Sequence, residues 1–159
     1  MKEKDEIQFL LARTKEDYEI AKNLFREYAA HIRTDLCFQG FEKELQEISL
    51  QYGPPKGAII LCKKENEIIG CAGIRKINLE TAELKRMYIK PIFHGKGWGK
   101  ELLERSLYLA KELGYSKIRL DTLPFMKAAQ TLYRQQGFYE VTPYYSNPVN
   151  GVLYMEKIL

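Results

Sequence analysis

A run of alternating glycines is the segment that most constrains how this chain can fold. It reads His-Gly-Lys-Gly-Trp-Gly-Lys over residues 94–100, and glycines at alternate positions let the backbone turn tightly without side chains covering it. Before it, Thr81–Ile89 is typical of a β-strand, which Pro91 stops. After it, leucines and small residues recur at helical spacing up to Gly114, which predicts an amphipathic helix with a left-handed C-cap. A short predicted strand at Lys117–Leu120 makes this region a strand–helix–strand crossover.

Hydropathy predicts further strands and helices on either side of this crossover. Thr14 precedes Asp17 by three residues, a variant of the capping box, and this predicts a helix start. The polar residues 64–67 separate two apolar runs, as in a hairpin. The remaining predicted elements are strands at 7–12, 58–63, 68–75, 138–141 and 152–157, and helices at about 41–48, ended by Gly53-Pro54-Pro55, and at 126–136. A meander of strands followed by crossovers predicts a single α/β (α+β) domain over residues 1–159, with a mixed, mostly antiparallel central sheet and helices on both faces.

Composition and charge narrow the class of protein. The 159 residues include 25 Lys and Arg against 21 Asp and Glu, a net charge of +4, well below the basic excess of a dedicated nucleic-acid binder. No apolar run approaches the roughly 20 residues that cross a bilayer, and the charged N-terminus lacks the apolar core of a secretion signal. Cys37, Cys62 and Cys71 have no C-x-x-C spacing, so we expect free thiols and a cytoplasmic location. With only His31 and His94 in the chain, we expect no metal site.

The glycine loop is suited to binding an anion. The first N–H groups of a helix lack intrahelical partners and carry the positive end of the helix dipole, so with Lys96 and Lys100 nearby they favour a pyrophosphate. Two common nucleotide loops do not fit. A Walker loop requires Ser or Thr after Gly99-Lys100, where this chain has Glu101, and a dinucleotide loop has the spacing G-x-G-x-x-G. From the glycines alone, a plain glycine-rich turn remains the alternative.

Two separate segments carry a family resemblance. Residues 94–99 resemble the Gln/Arg-x-x-Gly-x-Gly/Ala acyl-CoA loop of the GCN5-related N-acetyltransferases, the GNAT superfamily. Ala129–Phe138 is similar to that family's A-x-x-L-Y-x-x-x-G-F segment, and Glu83–Ile89 to the strand before its loop. His94 stands where Gln or Arg is usual, and Met126 where many relatives have an Asn that reaches the pantetheine arm. The resemblance implies an acetyltransferase fold and transfer of an acetyl group from acetyl-CoA to a primary amine of a small molecule or peptide.

The resemblance also implies roles for single residues. Direct attack in a ternary complex needs a base for the amine and an acid for the leaving thiolate, and the matched positions are Glu83 and Tyr133, with Asp121 as the reserve base. Without the resemblance, Tyr133 would be interpreted as a core tyrosine and Glu83 as an exposed residue paired with Lys85 or Arg86. The expected acetyl-CoA contacts are Met87, Tyr88, Ile89, His94, Gly95, Lys96, Gly97, Trp98, Gly99 and Lys100.

The acceptor side is the least determined part of the prediction. Tyr144 and Asn147, in the loop 143–148, are expected substrate contacts together with Asp121, although the loop could equally pack at the end of the sheet. Three further polar residues past the first helix could also face the acceptor: His31, Arg33 and Asp35.

Two other classes of function stay open at this stage. The first is a catalytically silent module that binds or senses acyl-CoA, against which the presence of both Glu83 and Tyr133 counts. The second is a nucleic-acid-binding domain that uses the basic residues of 85–100, against which the interspersed acidic residues count. The sequence predicts neither nucleic-acid nor membrane binding, and it is compatible with a homodimer.

Overall fold

A seven-stranded sheet forms the centre of the computed structural model, which describes residues 6–32 and 40–159. The strands are β1 Ile7–Leu11, β2 Ala58–Lys64, β3 Glu67–Lys76, β4 Thr81–Ile89, β5 Lys117–Thr122, β6 Tyr139–Val141 and β7 Leu153–Ile158. They stand in the order β1-β2-β3-β4-β5-β7-β6. Neighbours pair antiparallel except β4 and β5, which are parallel and are joined by the predicted crossover. The sheet is therefore mixed and mostly antiparallel, as the sequence predicts.

The helices of the described residues are α1 Lys15–Ile32, α2 Phe41–Gln46, α3 Ile48–Gln51, α4 Trp98–Glu112 and α5 Lys127–Gln135, with a 3-10 turn at Pro91–Phe93. The capping box is confirmed, since the Thr14 hydroxyl accepts from the Asp17 N–H at 3.1 Å and the Asp17 carboxylate accepts from the Thr14 N–H at 3.0 Å. The single helix expected at about 41–48 is wrong in detail. Glu47 leaves the helical region, with φ −106° and ψ 22°, and divides it into α2 and α3.

Two hydrophobic cores lie on opposite faces of the sheet. One packs the apolar side of α4 and residues of α5 against the sheet, with Leu102, Leu103 and Tyr133 among its buried members. The other packs α1, α2 and α3 against the opposite face, around Phe25 and Tyr52. A sheet with apolar side chains on both faces needs helices packed against each face to bury them. Helices on both faces confirm the predicted layer arrangement.

The sheet opens between β4 and β5. The two strands pair only at Thr81–Glu83 with Lys117–Arg119, although both continue beyond that point. In the same stretch β4 carries a bulge opposite β3, and Arg86 in the bulge has a left-handed backbone with φ 56°. A bulge bends its strand and increases the local twist. The last residues of β4 therefore diverge from β5 and leave a gap in the middle of the sheet.

The structure also bears on the expectations about membrane-spanning segments and cysteines. In residues 6–32 and 40–159, no helix is long and apolar enough to span a membrane. Cys62 and Cys71 are free and buried. Cys37, Arg33 and Asp35 lie outside the described residues.

Candidate functional site

The glycine loop presents an open helix N-terminus. Gly95 and Gly97 both have φ 81°, a conformation that favours glycine, and Gly97 is the N-cap of α4 without a side-chain capping bond. The first intrahelical bond of α4 runs from Glu101 N–H to the Gly97 carbonyl, at 3.2 Å. A Cβ added at Gly95, Gly97 or Gly99 would meet no atom within 4 Å. The loop therefore exposes backbone donors to open space, where an anion can approach them.

His94 ties this loop to the end of β4. Its Nε2 lies 2.6 Å from the Ile89 carbonyl oxygen, and since a carbonyl only accepts, Nε2 carries the proton. Lys90 N–H bonds back to Ile69 of β3, so the backbone groups of Ile89 face the other way, into the gap. The two lysines of the loop are exposed: Lys96 lies 5.5 Å from the Trp98 ring centre, and Lys100 lies 3.8 Å from Glu104.

A cleft of about 350 Å³ runs from the glycine loop through the gap to α1. It passes the end of β4 and the first turns of α5, and therefore connects the two faces of the sheet. Of the ten predicted acetyl-CoA contacts, eight line this cleft, and Lys96 and Lys100 do not. The lining residues are Tyr28, His31, Ile32, Met87, Tyr88, Ile89, Phe93, His94, Gly95, Gly97, Trp98, Gly99, Met126, Ala128, Ala129 and Leu132.

Tyr133 lies in the core directly behind the cleft wall. It is 6% exposed and packs edge-to-face on Phe138, with ring centres 5.6 Å apart. It follows Leu132 and stands one helical turn after Ala129, and both of these residues line the cleft. Burial raises the pKa of the Tyr133 phenol, so the group stays protonated at neutral pH. The buried position agrees with the alternative interpretation of Tyr133 as a core tyrosine, and its catalytic role stays a prediction.

Glu83 is buried rather than exposed and lies outside the cleft lining. Arg75, its cross-strand partner on β3, donates to Oε1 from Nε at 2.9 Å. The Tyr144 hydroxyl donates to Oε2 at 2.9 Å. The pairing with Lys85 or Arg86 considered from the sequence is therefore wrong, because the antiparallel register places Arg75 directly opposite Glu83. The loop that carries Tyr144 folds over this face of the sheet.

Asp121 lies beneath the same loop, which also carries Asn147. Asp121 is 3.7 Å from the Lys85 ammonium, which is itself buried, and burial together with Arg86 lowers the pKa of Lys85. Tyr145 also interacts with Asp121. The Asn147 side-chain oxygen accepts from Val149 N–H at 2.9 Å and shapes the loop. Asp121, Tyr144 and Asn147 are thus brought to one region, and none of them lines the cleft.

The comparisons with known proteins identify the family. The sequence matches the family model for the acetyltransferase (GNAT) family over residues 18–138. The chain belongs to the GNAT family. An N-acetyltransferase of Schizosaccharomyces pombe that is described as uncharacterised is 34% identical over 142 residues, which cover 88% of this chain and 87% of that protein. The family resemblance of the two sequence segments is confirmed, and the protein is an acyltransferase.

Solved structures show the same GNAT fold. An acetyltransferase from Streptococcus agalactiae superposes with a TM-score of 0.78 at 22% identity, over 96% of this chain and 98% of that one. A GNAT acetyltransferase from Elizabethkingia anophelis, solved with acetyl-CoA bound, superposes with a TM-score of 0.62 at 21% identity, over 98% of this chain and 100% of that one.

One structural element next to the site of this GNAT protein escaped the sequence analysis. Arg86, the residue of the β4 bulge, forms a two-bond ion pair with Glu44 of α2, at 3.1 and 2.8 Å, and both side chains are at most 2% exposed. The Tyr52 hydroxyl donates to the same carboxylate at 3.1 Å. Burial would raise the pKa of Glu44, but the hydrogen bonds and charge of Arg86 hold it below its ordinary value. The pair holds a strained backbone in place. No local spacing signals it, because its partners are 42 residues apart.

Proposed function

We propose that this GNAT protein is an acetyl-CoA-dependent N-acetyltransferase that transfers the acetyl group to a primary amine by direct attack in a ternary complex. The observation that carries the proposal is the cleft itself. At one end it has a helix N-terminus and three glycines without side-chain cover, and it then follows the part of β4 that does not pair with β5. An acyl-CoA has the matching parts, an anionic pyrophosphate and an arm with two amide groups.

The residues present fit acetyl-CoA. The open space over Gly95, Gly97 and Gly99 leaves room for a phosphate against the backbone. The edge of β4 that faces the gap can pair with the amides of the arm as with an added strand. Met126, in place of the family's Asn, lines the cleft with a thioether. When bound, acetyl-CoA supplies an activated acetyl thioester.

Tyr133 is the proposed general acid. Its phenol is protonated at neutral pH, as an ordinary tyrosine is, and it lies beside the wall formed by Ala129 and Leu132. It can therefore donate its proton to a thiolate that leaves from the cleft. The helix α5 carries Tyr133 and also contributes Ala129 and Leu132 to the cleft lining, so the position of the phenol relative to the cleft is fixed by one element.

Glu83 is the proposed general base, and Tyr144 is its connection to the acceptor. The carboxylate has one oxygen bonded to Arg75 and the other to the Tyr144 hydroxyl. A proton from the amine would reach it through Tyr144, which takes that proton on its oxygen while passing its own proton to Glu83. Asp121, which pairs more loosely with Lys85 at 3.7 Å, is the reserve base.

Rates of thiol release from acetyl-CoA with a panel of amines test the proposal. We expect Tyr133→Phe to lower kcat by about 100-fold, the usual contribution of acid–base catalysis, without weakening CoA binding. Tyr108→Phe, on the exposed side of α4, is the control with an unchanged rate. If kcat stays normal in Tyr133→Phe, another group is the acid.

A silent acyl-CoA sensor is the second candidate function. It is favoured by one observation: neither Glu83 nor Tyr133 reaches the cleft lining. Acetyl-CoA binding without turnover on any amine or peptide would establish it. For either function we propose one domain over residues 1–159, acting in the cytoplasm, where thiols such as those of Cys62 and Cys71 stay reduced. Its partners would be an amine acceptor and, in a homodimer, a second copy.

A further inference from the structure

The cleft lining carries no charged side chain among the described residues. Its sixteen members include no Asp, Glu, Lys or Arg, and the side chains among them with a hydrogen-bonding group are those of Tyr28, His31, Tyr88, His94 and Trp98. Burial raises the pKa of Tyr28 to about 12 and also raises that of Tyr88, so both phenols are neutral at physiological pH. The wall of the cleft therefore offers aromatic surface and hydroxyl or imidazole groups.

Aromatic rings gather at the side of the cleft formed by α1. The rings of Tyr28 and Tyr88 meet edge-to-face with centres 6.2 Å apart, and the His31 ring lies 6.0 Å from Tyr88. α1 covers the face of the sheet opposite to α4, whose N-terminus we assign to the pyrophosphate. An acceptor that meets the acetyl group from the other face therefore enters along Tyr28, His31 and Tyr88.

The charged groups behind this wall already have partners. Arg86 pairs with Glu44, and its guanidinium lies 6.0 Å from the centre of the Tyr28 ring. Arg75 pairs with Glu83, and Lys85 with Asp121. An acceptor carboxylate in the cleft would lose its hydration without gaining one of these cations, which costs much more than it returns.

We infer that the acceptor is an aromatic primary amine without a carboxylate, whose ring packs against Tyr28, His31 and Tyr88. Aromatic pairs prefer the edge-to-face and offset arrangements that these rings offer. This inference rests on the proposed acetyltransferase function and narrows its substrate class.

Matched acceptors test the inference with the full chain and acetyl-CoA. The probes are 2-phenylethylamine, phenylalanine, 2-cyclohexylethylamine, spermidine and a tripeptide with a free N-terminus. We expect kcat/KM for 2-phenylethylamine to exceed that for phenylalanine, which adds only the carboxylate, by at least about 100-fold. It should also exceed that for 2-cyclohexylethylamine, which is similar in size but not aromatic. A preference for phenylalanine, spermidine or the tripeptide would overturn the inference while leaving the acetyltransferase function intact.

A variant on α1 tests where the aromatic ring of the acceptor binds. His31 is exposed, so His31→Ala should fold normally, and we expect it to lower kcat/KM for 2-phenylethylamine by about 2- to 10-fold. Lys22→Ala on the same helix, away from the cleft lining, is the control with an unchanged value. An unchanged value in His31→Ala contradicts the assigned position. If acetyl-CoA binds but none of the amines is acetylated, the proposed function itself fails.

Discussion

Gly99→Ala should separate the stability of this protein from its affinity for CoA. Gly99 lies in the first turn of α4 and lines the cleft, and a Cβ there would touch nothing within 4 Å in the free protein. Alanine is favoured over glycine in a helix by up to about 1 kcal/mol. For a chain of this size, that gain corresponds to a melting temperature up to about 4 °C higher.

The same methyl group should weaken CoA binding. It occupies space next to backbone donors that, in our proposal, hold the pyrophosphate. An extra methyl in a tightly packed contact costs about 1–3 kcal/mol, which is about a 5- to 150-fold increase in Kd. Urea denaturation measures the first effect, and titration calorimetry with CoA measures the second.

Gly114→Ala, at the other end of the same helix, is the matched control. Gly114 has φ 97°, and a Cβ there would meet only the Lys56 ammonium, at 3.8 Å. The strained backbone should cost about 1–2 kcal/mol of stability, while the Kd for CoA stays unchanged. A normal Kd in Gly99→Ala would refute the assignment of the pyrophosphate to the N-terminus of α4.

Three further predictions concern the architecture around the gap. Glu44→Gln should destabilise the protein by about 3–5 kcal/mol, because it leaves Arg86 buried beside a neutral partner. Glu19→Gln on the surface is the control in the same denaturation experiment. Equal losses of unfolding free energy in the two variants would contradict the role of the Glu44–Arg86 pair. The pKa of Glu44 in the folded protein is held below its ordinary value of 4.5, so the ionised carboxylate stabilises the fold above pH 4.5. This stabilisation is lost as the pH falls through the lower, folded-state pKa. The free energy of unfolding measured between pH 6 and 3 should therefore fall less steeply in Glu44→Gln than in the wild type, and equal slopes would refute this. Gly70→Ala should destabilise by about 1–3 kcal/mol, since its Cβ would lie 2.5 Å from the Tyr88 carbonyl; a melting temperature equal to the wild type would show that β4 shifts freely.

The sequence predicts the local features of this fold well. Strand and helix boundaries lie within a few residues of those expected, because periodicity and caps such as Thr14 with Asp17 act over short distances. The glycine loop is predictable for the same reason, since its turn and its helix N-terminus depend on adjacent residues. The division of the second helix at Glu47 is not, because no breaking residue marks it.

Contacts between distant segments are the part that the sequence does not reveal. Glu83 accepts a hydrogen bond from Tyr144, which is 61 residues later in the sequence, and Glu44 pairs with Arg86, which is 42 residues later. These pairs depend on which strands become neighbours and on where the bulge falls in β4. Neither is visible in residue spacing, so the burial of Glu83 and the neutral lining of the cleft emerge only from the folded chain.

The gap between β4 and β5 gives the sheet two edges in its interior. An edge strand at the perimeter of a sheet offers unpaired N–H and C=O groups to any other chain and invites aggregation. Here the part of β4 that does not pair with β5 lies in a cleft that α1 and α5 also line, inside the fold and not at its perimeter. The fold thus keeps a strand edge available for pairing inside the molecule, away from the perimeter, where a second sheet could add to it.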